Sequence, residues 1–272
     1  MPRLNHTLVA SAGASPDKWL YVLHGIYGSG RNWGNIAHRF VDERPEWGAV
    51  LVDLRLHGGS QGFLPPHTMS AVARDVVDLE EALDLPATAV LGHSFGGKVA
   101  LLLAAEPDPP TQIWVADSTL RTGEPTGTAW DVVRIVKNLP ETFESRETLA
   151  DAMVANGYER PVGMWLAMNL ERSDSAFRWK LDWSGIEEML RDYFATDIWT
   201  AIEQPPASTE VHIIRALKSD SIDKESADRI KVAGEATGRV HLHDVDAGHW
   251  LNVDNPEALL ELLLQNVPAL NS

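Results

Sequence analysis

Ser94, His249 and an aspartate could together carry out nucleophilic chemistry, although they lie far apart along the chain. Ser94 stands in Gly92-His93-Ser94-Phe95-Gly96-Gly97, after an apolar run and before residues that read as a helix. A strand, a G-x-S-x-G turn and a helix in that order hold the serine in a strained backbone conformation at the apex. Gly92 and Gly96 let neighbouring segments approach where a Cβ would collide. The hydroxyl then projects above the strand ends at a helix N-terminus, where backbone N–H groups favour negative charge. A serine hydroxyl is a poor nucleophile until a base removes its proton. His249 is the leading base, in Asp246-Ala247-Gly248-His249-Trp250, a loop that Gly248 keeps open after the last strand-like segment. An imidazole in that role needs a carboxylate to fix its tautomer and to stabilise its cation. Asp117 and Asp220 compete for this position. Asp117 directly follows a strand, whose backbone would aim it at the site. Asp220 lies in Lys218-Ser219-Asp220, where Ser219 rather than Asp220 falls at the more usual place for an acid. Asp117 is favoured; Asp244 and Asp246 read as loop carboxylates.

Attack on a carbonyl also needs two donors preset towards the developing oxyanion. The backbone N–H of Phe95, just after the serine, is one. The N–H of Ile26, in the loop after the first buried strand, is the other, with Tyr27 as the near alternative. His24 reads as a buried histidine hydrogen-bonded to backbone, and His57-Gly58-Gly59-Ser60 as a turn that shapes a loop near the site. No metal is expected. His241 and His243 share a strand face, but two histidines are not a site, and no H-E-x-x-H pattern occurs. Gly28-Ser29-Gly30 lacks the G-K-[ST] ending of a phosphate loop.

The elements that must position these residues follow from apolar periodicity. Strands are expected at His6–Ala10, Trp19–Leu23, Ala49–Leu54, Ala87–Leu91, Gln112–Ala116, Val211–Leu217 and Val240–Val245. Helices are expected at Asn32–Val41, from a Thr68 cap to Leu83, at Gly96–Ala105 and at Pro256–Val267, the last capped by Asn255 with Pro256 in its first turn. The alternation implies a mainly parallel sheet with helices on both faces, whose ligands bind beyond the carboxyl ends of the strands. The loops 24–28, 55–60, 92–97, 117–120, 217–221 and 246–250 all fall at such ends. Between about 121 and 205 the alternation breaks. That stretch shows helical patterns but no convincing buried strand, and it carries five of the ten tryptophans: Trp130, Trp165, Trp179, Trp183 and Trp199. It is expected to be a helical cap inserted between core segments 1–120 and 206–272. Its tryptophans serve either to hold the cap on the core or to stack on a ligand.

Composition narrows the classes further. A formal net charge of −16 disfavours nucleic acid and anionic membranes as partners. The absence of cysteine excludes disulfides, thiolate metal sites and a cysteine nucleophile. No run approaches the roughly 18 apolar residues of a membrane span, and the first residues lack a signal-peptide pattern, so a cytoplasmic protein is expected.

The combination His24-Gly25-Ile26-Tyr27-Gly28-Ser29 with Asn32-Trp33, Asp53-Leu54-Arg55-Leu56-His57-Gly58-Gly59-Ser60, Gly92 to Ala100, Asp117 and Gly248-His249 resembles the α/β-hydrolase superfamily. Within it, the chain resembles the branch of small bacterial serine esterases and abhydrolase-domain-eleven-like acyl hydrolases. The resemblance covers the core, about two thirds of the chain, and does not extend to the cap. It implies an α/β-hydrolase fold and a Ser94–Asp117–His249 triad, because members of this branch place the acid after the strand that follows the nucleophile. It also implies a cofactor-free esterase acting on small-molecule esters; short- to medium-chain acyl groups are expected because a capped site encloses a limited volume. A thioesterase, lactonase, C–C bond hydrolase or perhydrolase would use the same triad, and a hydrolase-fold ligand receptor is the rival outside enzymes. Haloalkane dehalogenase and epoxide hydrolase chemistry would need a carboxylate where Ser94 stands.

Overall fold

In the computed structural model, which describes residues 2–174 and 176–268, the apolar runs of the sequence become strands covered on both faces. In chain order the first part comprises β1 (His6–Val9), β2 (Lys18–Leu23), α1 (Gly34–Glu43), β3 (Trp47–Val52), α2 (Met69–Leu83), β4 (Ala87–His93), α3 (Phe95–Leu102) and β5 (Gln112–Ala116). Then come α4 (Gly127–Val136), β6 (Thr142–Phe143), α5 (Arg146–Ala155), α6 (Arg160–Leu166), β7 (Leu170–Ser173), β8 (Ala176–Trp179), α7 (Trp183–Ala195) and α8 (Trp199–Glu203). The chain returns to the sheet with β9 (Glu210–Ala216), α9 (Lys224–Thr237), β10 (Val240–Val245), α10 (Leu251–Asp254) and α11 (Pro256–Asn266). The seven-stranded sheet has the order β1-β3-β2-β4-β5-β9-β10. Only β1 runs antiparallel to its neighbour; every other pairing is parallel.

Alternate residues of each strand feed two separate cores. Leu20, Val22, Leu51, Leu91, Trp114 and Ile214 pack with α1 and α11 through Phe40, Leu259 and Leu263. Tyr21, Leu23, Val90, Val115 and Ile213 face α2, α3 and α9 through Val76, Val99 and Ile230. Burial on both faces is what a continuous apolar run requires of a parallel strand. The expected caps form as well: Thr68 accepts from the Ala71 amide and Asn255 from the Ala258 amide, each at 3.2 Å.

The third expected strand ends two residues early. Ala49–Leu54 is realised as Trp47–Val52, because Asp53 and Leu54 leave the ladder for other partners. The Leu54 amide donates to His24 Nε2 at 3.0 Å. Asp53 Oδ1 accepts from the Gly30 amide at 2.8 Å, and Oδ2 accepts from the Gly59 amide at 2.9 Å and from Asn5 Nδ2 at 2.8 Å. The carboxylate thus pins two loops to the strand end. A Cβ on Gly58 would lie 2.2 Å from Asp53 Oδ2, so that turn requires a glycine.

The segment between β5 and β9 differs from the expectation of helices alone. Besides its helices it holds a three-stranded antiparallel sheet of order β6-β8-β7. These strands are two to four residues long, and β7 and β8 carry charged residues, so no apolar run announces them. Glu171 and Arg178 face each other across β7 and β8 and pair at 2.9 Å. The apolar side chains of this insert join the α2–α3 core. Polar ties fasten it to the loops at the sheet's carboxyl edge: Tyr27 Oη donates to Ala129 O at 2.6 Å and Asn169 Nδ2 to Tyr27 O at 2.8 Å. Among the described residues no helix is long and apolar enough to cross a membrane.

Lys98 is a buried anchor of the insert. Its side chain leaves α3, is fully buried, and donates from Nζ to Tyr193 O (2.8 Å), Thr196 O (3.0 Å) and Arg121 O (3.1 Å). The ammonium also lies 4.6 Å from the Tyr193 ring centroid. Burial lowers its pKa to about 8 from the ordinary 10.5. Replacing Lys98 with Met strands three carbonyls and should reduce unfolding free energy near pH 7 by about 1–3 kcal/mol, read from urea denaturation. Between pH 8 and 10 the unfolded chain holds a proton on Lys98 that the folded chain has begun to lose. Stability should therefore gain with pH across that window, and Lys98→Met should remove this gain.

Candidate active site

The turn between β4 and α3 has little room for side chains. A Cβ on Gly92 would sit 2.0 Å from Gly96 O, and one on Gly96 would sit 2.5 Å from Leu23 O. Contacts that close force glycine at both places. Between them Ser94 takes φ 51° and ψ −114°, a strained conformation for a residue with a side chain. The Ser94 amide donates to Ala116 O at 2.9 Å, tying the turn to the end of β5.

The three residues separated in sequence meet at this edge. His249 Nε2 lies 3.1 Å from Ser94 Oγ, and His249 Nδ1 lies 2.7 Å from Asp117 Oδ2. A carboxylate can only accept, so Nδ1 carries the proton and Nε2 presents its lone pair to the serine hydroxyl. Asp117 has no solvent exposure and adopts φ 46° directly after β5. Burial alone would raise the pKa of its carboxyl. Hydrogen bonds from His249, Ser219 and the Ala216 amide outweigh burial and hold it below the ordinary value. Asp220, the competing acid, makes no hydrogen bond to His249 among the described residues.

Two serines next to Asp220 take part instead. Ser219 Oγ donates to Asp117 Oδ2 at 2.6 Å, while Asp117 Oδ1 accepts from the Ala216 amide at 3.1 Å. Ser221 Oγ lies 3.0 Å from Ser219 Oγ and 3.2 Å from His249 Nδ1. One proton arrangement satisfies all of them: His249 donates to Asp117 and shares with Ser221, Ser221 donates to Ser219, and Ser219 donates to Asp117. Sequence reasoning placed Ser219 where an acid would usually stand, but it had no means of seeing that the hydroxyl serves a carboxylate from another strand.

His93 is a second residue that sequence reasoning missed. Its Nε2 donates to the backbone carbonyl of His249 at 2.8 Å, which holds the 246–250 loop against β4. Burial, reinforced by the neighbouring His249, pushes its pKa down to about 3, so it stays neutral. His24 is buried as expected, donating from Nδ1 to Gly25 O at 2.7 Å. His57 is buried too, and its Nε2 accepts the Tyr27 amide at 3.0 Å. That bond takes Tyr27 out of contention as an oxyanion donor. The Ile26 amide has no acceptor among the described residues.

Ser94 and His249 line a cavity of about 380 Å³. Its walls come from the 24–28 loop, Trp33, Val132 of α4, Val162 and Trp165 of α6, and Trp250 and Val253. No Lys, Arg, Asp or Glu is among the lining residues. Of the insert's tryptophans Trp165 reaches this wall, 5.5 Å from the Trp250 ring and 6.0 Å from Tyr27. Trp130 and Trp199 instead pack beneath Arg191 and Arg229.

The model of the alpha/beta hydrolase family matches residues 20–262. An sn-1-specific diacylglycerol lipase, ABHD11 of Danio rerio, is 27% identical over 261 residues, covering 93% of this chain and 79% of the relative. The abhydrolase domain-containing protein C22H12.03 of Schizosaccharomyces pombe is 24% identical over 262 residues, 93% of each chain. Among solved structures, a marine microorganism esterase superposes with a TM-score of 0.83 at 25% identity, covering 97% of this chain and 99% of that one.

The His249–Asp117 contact has a spectroscopic consequence that does not depend on any substrate. The Nδ1–H, 2.7 Å from a buried carboxylate, should give a far-downfield proton resonance. Asp117→Asn should abolish it and Asp220→Asn should leave it in place; the opposite pattern would reassign the acid.

Proposed function

The chain belongs to the alpha/beta hydrolase family, and we propose that within it the protein is a serine esterase of short- to medium-chain acyl esters. The observation that carries this reading is the continuous contact from Ser94 Oγ through the His249 ring to Asp117 at the wall of an apolar cavity. Ser94 Oγ attacks the ester carbonyl carbon while His249 Nε2 takes its proton. The carbonyl oxygen becomes an oxyanion held by the Phe95 and Ile26 amides. Asp117 steadies the imidazolium. The tetrahedral intermediate collapses, the C–O bond to the alcohol breaks, and His249 returns the proton to the departing oxygen. Water, deprotonated by His249, then attacks the acyl-serine. The second collapse releases the acid and restores Ser94. No cofactor enters these steps.

The lining of the cavity supports uncharged substrates. A carboxylate on the acyl chain would lose water there without meeting a lysine or arginine. The insert serves as the cap, with Val132, Val162 and Trp165 bounding the acyl group. The family, the esterase and lipase named among the relatives and the contact geometry support hydrolysis of esters over binding alone.

A p-nitrophenyl ester series from acetate to decanoate tests the reading. Turnover should fall at the long end, and a hemisuccinate ester should be turned over far more slowly than butyrate. Ser94→Ala should remove activity by at least about 10³-fold, and Asp117→Asn by about 10³–10⁴-fold. Asp220→Asn should stay within about twofold. A fluorophosphonate should attach to Ser94 alone, as read by peptide mass. Tight binding of these esters without turnover would replace the enzyme reading with a receptor.

A further inference from the structure

At the amino ends of β9 and β10, away from the cavity, three imidazoles and a carboxylate share one face of the sheet. Parallel pairing sets His212 beside His241 and Ile214 beside His243. Alternation puts Glu210 on the same side as His212. The His212 ring is 2% exposed and stacks on Trp114, with ring centres 4.0 Å apart and an interplanar angle of 11°. Its Nδ1 lies 3.1 Å from His243 Nε2. Its Nε2 is buried and has no hydrogen-bond partner among the described residues; Glu210 Oε2 lies 3.5 Å away. The donor atoms of Glu210, His212 and His241 all lie within 4.8 Å of one another.

A buried ring nitrogen without a partner costs about 1–3 kcal/mol. In the tautomer that donates from Nδ1 to His243, the Nε2 lone pair is free, 3.5 Å from Glu210 Oε2. This is the arrangement of a metal-binding histidine, in which an outer partner fixes the tautomer and the other nitrogen binds the ion. We propose that Glu210, His212 and His241 bind a divalent transition cation of the zinc class, with His243 orienting His212. Two imidazoles and one carboxylate favour zinc, nickel, cobalt or copper over magnesium or calcium, which prefer all-oxygen shells. Tetrahedral zinc needs donors about 2.0–2.2 Å from the ion, so the three must close slightly. Glu210 is exposed and His241 half-buried, so both side chains can move inward while Trp114 holds His212. Glu210 also accepts from Gln112 Nε2 at 3.3 Å, which links the site to β5. The ion would clamp the last two strands of the sheet and stand apart from the Ser94 chemistry.

The test is calorimetric titration of the untagged, chelator-stripped chain with Zn²⁺ alone, followed by thermal unfolding with and without it. One ion per chain and a raised Tm are expected. Glu210→Gln and His241→Asn should each weaken binding about tenfold or more, the loss that even outer partners of metal sites typically cause. Hydrolysis of p-nitrophenyl butyrate should be unchanged in both, which also shows that they fold. If His241→Asn fails to fold, Glu210→Gln decides alone. Affinity no tighter than millimolar overturns the site. Unchanged affinity in a folded variant does so too, by placing the ion on the acidic surface instead.

Discussion

A carboxylate without solvent exposure survives as an anion only where donors replace its water, and Asp117 depends on three. They come from the end of β9, from the loop after it, and from the loop after β10. The charge therefore draws together segments that share no local sequence. It also sets the face of the His249 ring, because the only proton that can serve it is on Nδ1. The availability of Nε2 towards Ser94 follows from a bond made on the opposite side of the ring. Ser219 and Ser221 extend the same arrangement, and His93 fixes the backbone that carries His249.

Backbone strain gathers at the same edge. Tyr27, Leu56, Ser94 and Asp117 all have positive φ, and each directly follows or closely follows a parallel strand. Conformations of this kind cost roughly 1–3 kcal/mol each and persist only where the surroundings over-determine them. Here the over-determination is visible: the Tyr27 amide is held by His57, the Asp117 amide by Ile214 O, and the Ser94 amide by Ala116 O. The stiff parallel sheet beneath, buried on both faces, supplies the fixed frame.

The insert completes the cavity with apolar walls and a tether. Lys98 issues from the helix that begins directly after Ser94, so one short element is joined both to the serine turn and to the anchor of the segment above it. Movement of the insert would be felt by the helix that positions the nucleophilic turn. The cavity has no Lys, Arg, Asp or Glu in its lining, which fits neutral ligands better than charged ones.

Most of the core was legible in the chain itself. Unbroken apolar runs such as Trp19–Leu23 and Gln112–Ala116 have no stable place except between two covered faces, and G-x-S-x-G between a strand and a helix admits few backbone paths. Short, charged strands such as β7 and β8 were not legible, because their pairing is set by each other rather than by burial. The linear pattern determined the parallel sheet, the glycine-lined serine turn and the short roster of residues able to act there. It favoured Asp117 over Asp220 with no distance to decide between them, and it counted two histidines on β10 without the third from β9. Only tertiary structure brings Asp117 to 2.7 Å from His249 and His212 beside His241, because such contacts depend on where distant strands end relative to one another. Sheet order and register settle that, and periodicity along the chain does not encode either.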